Sequence, residues 1–236
     1  MTLAGYGHLI FFGILIPIGA IRARKAIAMR PLPQRRRYFR AALVQVAMFG
    51  LLSIAVARVE RVPLFPHDLP PRAAVAAGLA FLAIAIPAGW PQWVQAVRER
   101  RKVVALYMPT NNEERAMWIA AALLAGFCEE ISWRGVQTTL LARVTGNLWI
   151  AIAITIVMFS IAHAIQGWNS VVVIAIYSAG FHAIVWLSGS LYVAMVVDFL
   201  YDLVAGFSYG YLGKKLGYEI PIDGGAAPPI TSSDAF

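Results

Sequence analysis

Seven apolar runs recur along the 236-residue chain: Leu3–Ile21, Ala41–Ala57, Ala73–Trp90, Met117–Cys128, Leu148–Ala164, Val171–Leu187 and Leu191–Leu212. A hydrocarbon core about 30 Å thick takes roughly 20 helical residues to cross. Backbone in lipid must satisfy its own hydrogen bonds, so runs of this kind leave a helical bundle as the fold. Composition agrees, with 60% hydrophobic and 14% charged residues against about a quarter charged in soluble domains. The chain reads as an all-α integral membrane protein with a bundle of about seven transmembrane helices. The fourth run spans only if its helix continues through the charged stretch EEISWR as far as Leu141.

The net charge of +8 could suggest a nucleic-acid partner, but the basic residues lie between the apolar runs. The segment from Arg22 to Arg40 holds eight of the 20 Lys and Arg, and that from Val97 to Arg115 holds five more. The positive-inside rule places both segments in the cytoplasm. The N-terminus is then expected outside, and the C-terminus, with Lys214 and Lys215, in the cytoplasm. Arg58, Arg61, Arg72 and Arg143 fall outside, and Arg134 alone stays within a span. The partners expected are the lipid bilayer and a membrane-associated protein or peptide, and no nucleic acid. The first run precedes any positive charge and no clean small-residue cleavage site follows it, so it is expected to remain as an anchor. The single cysteine, Cys128, excludes an intrachain disulfide, and within a span it reads as a packing residue.

Three parts are expected: scaffold spans and an interfacial helix over 1–116, a polar-bearing helical core over 117–212, and a polar, disordered tail over 213–236. The interfacial helix is predicted over 91–116, where Trp93, Val94, Val97, Val103, Val104 and Leu106 interleave with Arg98, Arg100, Arg101 and Lys102. A solvated linker is the plain alternative. No internal repeat or glycine-rich phosphate loop stands out.

A charged residue at the centre of a spanning helix costs roughly 2.5–3.5 kcal/mol, so charges there pair or work. Glu130 and Arg134, four residues apart, share a helix face and are expected to form an ion pair. Glu129 points about 100° away and has no local partner, which makes it the candidate for chemistry. Downstream, VMFSIAH puts Phe159 and His163 on one face, SAGFH supplies His182, and VVDFLYD supplies Asp198 and Asp202, again four apart. Both aspartates are expected to face the bundle interior with Glu129. Four carboxylates against one arginine cannot all stay ionised in a low dielectric, so at least one is expected to be protonated, held by histidine, or bound to a metal.

EEISWR matches an EExxxR motif and FSIAH an FxxxH motif, and SGSLYVAMVVDFLYDL is similar to a last motif helix. On these residues the stretch 115–212 resembles the CAAX-protease and bacteriocin-processing family (CPBP, or Abi), glutamate-type intramembrane endopeptidases. The resemblance implies that Glu129, assisted by His163, activates a water, and that Glu130 and Arg134 support the geometry. It implies no cofactor and, for a multi-pass protein, a bacterial plasma membrane as the location. One departure stands out: the family usually carries histidine and asparagine in the last motif as an oxyanion site, where this chain has Asp198 and Asp202. A protonated aspartic acid can donate to an oxyanion, whereas an ionised one cannot.

Other readings of the same residues are a zinc centre with Glu129, His163 and Asp198 as ligands, and a non-catalytic immunity or chaperone-like protein in which the polar groups are structural. A proton-coupled transporter would also gather buried acids, but no broken-helix pair is evident.

Overall fold

The computed structural model describes residues 1–66 and 68–218, and the described residues contain seven long helices and no strand. In chain order these are α1 (Leu3–Met29), α2 (Arg35–Glu60), α3 (Arg72–Arg98), α4 (Asn112–Thr145), α5 (Leu148–Ala162), α6 (Trp168–Ser188) and α7 (Tyr192–Lys215). Six are long and apolar enough to cross a membrane, while α5 has 15 residues. At 1.5 Å per residue α5 is about 22 Å long, short of a full crossing. The expected seven spans are therefore six of full length and one shorter apolar helix, whose end is set by the turn at His163.

Helix α4 does run on through EEISWR, for 34 residues. From Glu130 to Gln137 its turns widen to π-helical, and the Thr138 N–H bonds to the Trp133 carbonyl five residues back. Hydroxyl groups support the wider ladder: Ser132 donates to the Cys128 carbonyl at 2.7 Å and Thr138 to that of Trp133 at 2.8 Å. All eight residues of this stretch are buried. A π-turn inside an α-helix is uncommon and concentrates at functional sites.

Close helix contacts bring the polar groups together. A Cβ added at Gly126 on α4 would lie 2.6 Å from the Phe199 amide nitrogen and 2.8 Å from the Met195 carbonyl oxygen on α7. Only glycine lets these backbones approach so far, the small-residue packing that joins helices in lipid. That contact sets Glu129, one turn further along α4, beside Asp198 on α7. Across the helix, Cys128 packs against Gly50 of α2, as its reading as a packing residue expects. A buried polar chain adds a tie from α1: His8 bonds Gln137 at 3.1 Å and Ser53 at 3.0 Å, and Ser53 donates to Ser132 at 2.8 Å.

The predicted interfacial helix over 91–116 is not formed. Residues 91–98 instead continue α3 past Pro87 and Pro91, the chain turns at Arg100 with φ 48°, and Lys102–Tyr107 makes a short 3₁₀ turn. Its apolar side chains pack inward, with Val104 and Met108 clustering on Trp93, Val97 and Leu212. Burial against the bundle removes those residues from any lipid-facing stripe. The tail boundary also moves: α7 continues to Lys215, and buried Tyr218 donates its hydroxyl to the Arg101 carbonyl at 3.2 Å. The rest of the tail lies outside the described residues.

The two long basic segments meet at one end of the bundle. Arg35 pairs with Glu114 at 3.0 Å, Arg36 with Glu113 at 2.6 Å, and Lys102 reaches the Arg30 carbonyl. At the other end Glu60 accepts from the Thr2 amide at 2.7 Å and faces Arg143 at 3.5 Å. By the positive-inside rule the first end is expected to be cytoplasmic. A cysteine placed at exposed Gln34 in a Cys128→Ala background is expected to react with a membrane-impermeant label only from the cytoplasmic side. Labelling from the outside alone would invert the orientation.

Candidate active site

Glu130 begins the π-helical stretch, and its carboxylate pairs with Arg134 at 2.8 Å, both side chains having no exposed surface. The guanidinium also donates to Ser178 on α6 at 3.1 Å and lies over two ring faces, 4.1 Å from the centroid of Phe159 and 5.1 Å from that of Phe181. Two aromatic faces, a carboxylate and a hydroxyl hold this buried cation. The phenylalanine of the FxxxH motif thus has a physical task, since the Phe159 ring carries Arg134 and also meets the His163 ring at 4.5 Å. Ser178 and Phe181 were not evident as site residues from sequence. A serine one turn before His182 is a weak signal among apolar neighbours.

Glu129, turned away from Glu130, points toward α5. Its Oε2 lies 3.7 Å from His163 Nε2, and both side chains are about one-quarter exposed. His163 sits just past the last turn of α5, and its Nδ1 is 2.8 Å from the Phe159 carbonyl. A carbonyl can only accept, so Nδ1 carries the proton and in the neutral ring Nε2 presents a lone pair. The distance is too long for a direct hydrogen bond and suits one bridging water, which can donate one proton to the carboxylate and the other to the imidazole.

Glu129, His163, Asp198 and Asp202 all line one cavity of about 730 Å³ that runs toward Tyr38 and Tyr107 at the basic end. Asp198 is 8% exposed, and its carboxyl has no hydrogen-bond or ion-pair partner among the described residues. Asp202, one turn further along α7, accepts the Trp118 indole N–H on its carbonyl at 3.1 Å, leaving its carboxyl to the cavity. The two aspartates therefore face the interior with Glu129, as expected. His182 differs: it is buried in α6 outside the cavity wall, and its Nε2 has no partner among the described residues. Among the described residues no group of three or more His, Cys, Asp or Glu side chains is gathered closely enough to hold a metal ion.

Residues 111–204, which run from the start of α4 into α7, match the family described as type II CAAX prenyl endopeptidase Rce1-like. The matched stretch is the one whose motifs resemble the CPBP family, and the Rce1-like family is one of proteases. No curated protein and no solved structure matches the chain.

Proposed function

We propose that the chain is an intramembrane endopeptidase of glutamate type, cleaving a peptide bond of a membrane-associated protein or peptide. The observation that carries the reading is the approach of Glu129 to His163 across 3.7 Å at the inner wall of the cavity. A water bridging the two gives a proton to Glu129 as its oxygen attacks the scissile carbonyl carbon. The C–O bond forms while the carbonyl π electrons move to oxygen. The neutral Asp198 carboxyl donates a hydrogen bond to that oxyanion. Collapse of the tetrahedral species breaks the C–N bond, and the proton held by Glu129 passes to the leaving nitrogen. Arg134 and Glu130 hold the Phe159 ring and the π-helical turn in place without touching the reacting atoms. The bacterial plasma membrane is the proposed location.

The test compares newly formed protein termini in membranes from cells carrying either the wild-type chain or its Glu129→Gln variant. Termini that appear only with the wild type identify the reaction and the substrate together. Identical terminus sets would instead favour a non-catalytic membrane protein.

Asp198 supplies a second expectation. Asp198→Asn keeps a donor of similar size and is expected to retain cleavage. Asp198→Ala removes the donor and is expected to lower turnover by roughly 10²–10³. Full activity in Asp198→Ala would move the oxyanion elsewhere.

A further inference from the structure

Among the described residues three acids, Glu129, Asp198 and Asp202, line the cavity, and no lysine or arginine does. Arg134 is taken up by Glu130 behind the wall. Arg101, in a neighbouring cavity of about 20 Å³, is held by Glu99 at 2.6 Å. With Asp198 engaged by the oxyanion, the Asp202 carboxyl also opens to the cavity and has no hydrogen-bond or ion-pair partner among the described residues. Buried polar groups are otherwise nearly always paired, so an acid in this position is left for a ligand. Aromatic rings adjoin the acids. Tyr201, next to Asp202 in sequence, meets Trp93 at 5.9 Å and Tyr177 at 5.2 Å between ring centroids, and all three line the cavity. Carboxylate and aromatic faces together recognise an organic cation.

We infer that the cavity selects substrates carrying a basic side chain, arginine or lysine, about two residues from the scissile bond, with Asp202 and the rings of Trp93, Tyr177 and Tyr201 receiving it. This rests on the reading of the chain as a protease. Four residues along α7 separate Asp202 from Asp198 by about 6 Å, which is about two residues of extended peptide. The basic residue therefore sits about two positions from the carbonyl held at Glu129, His163 and Asp198. The small residues on the facing wall, Gly19, Ala20, Ala41 and Ala42 among them, leave room for the rest of the chain.

The experiment uses the full-length Glu129→Gln protein in phosphatidylcholine nanodiscs, whose lipid carries no net charge, and two probes: dodecanoyl-arginine amide and dodecanoyl-citrulline amide. Citrulline replaces the guanidinium with a neutral urea of the same shape. By titration calorimetry the arginine probe is expected to bind roughly ten- to a hundredfold more tightly, the range of a charge-assisted hydrogen bond. Adding Asp202→Asn is expected to erase most of that preference, and Asp202→Glu, which keeps the charge, to retain it. Equal affinity for the two probes, binding of neither, or an arginine preference untouched by Asp202→Asn overturns the inference. The probe comparison in the Glu129→Gln protein carries the test even if the Asp202 variants do not fold. The two readings fail separately. An arginine preference without any cleavage by the wild type would sink the protease reading alone, and cleavage without that preference would sink the cation site alone.

Discussion

Replacing Glu129 with glutamine is expected to lower peptide cleavage by roughly 10²–10⁴, the contribution of a positioned general base, while leaving the amount of folded protein unchanged. The second half of that expectation follows from the surroundings. Glu129 makes no direct hydrogen bond at its 3.7 Å separation from His163, and its side chain is one-quarter exposed to the cavity. Glutamine has the same size and the same hydrogen-bonding reach, so it keeps the packing and the bridging position. What it loses is the capacity to take a proton from water. Cleavage rates of wild type and variant at equal protein amounts, with thermal unfolding as the control, decide the matter. A variant that cleaves as fast as wild type removes Glu129 from the chemistry.

Arg134→Ala should behave in the opposite way. Its guanidinium pairs with a Glu130 carboxylate of zero exposure and fills the space between Phe159 and Phe181. Taking away one partner of a buried ion pair costs about 3–5 kcal/mol, a large share of the about 5–15 kcal/mol that holds a typical domain folded. A marked fall in folded protein is expected, read from the fraction that survives mild detergent extraction without aggregating. The double variant Glu130→Gln/Arg134→Met, which removes both charges and keeps bulk, should recover much of the yield. An abundant, well-folded Arg134→Ala protein that no longer cleaves would assign the arginine a direct part in the reaction.

Much of this site was legible before any coordinates. The four-residue spacing of Glu130 and Arg134 anticipated their ion pair, and the cost of charge in lipid anticipated that Asp198 and Asp202 would turn inward. The pair formed by Glu129 and His163 was open to inference only through the motif resemblance, because those residues lie on different helices and no local periodicity connects them. The clamp on Arg134 was not legible. Ser178 and Phe181 sit in an apolar run where every helical face looks alike, and only the approach of α6 shows which face meets the arginine.

The sequence by itself determined that this is a membrane-embedded helical bundle and which residues carry its intramembrane charge. Both follow from solvent alone, since lipid rejects unpaired backbone and unpaired charge wherever they fall in the chain. Tertiary structure decided the remainder. Whether residues 91–107 would coat a membrane surface or pack inward depended on the bundle having room for Val104 and Met108 against Trp93. Whether α5 would cross in full depended on the turn that presents His163 to Glu129. The depth of the α4–α7 contact depended on Gly126 meeting the Met195–Phe199 backbone. Each is a matter of which surfaces touch at packing distance, and apolar patterning along one chain leaves that choice undetermined.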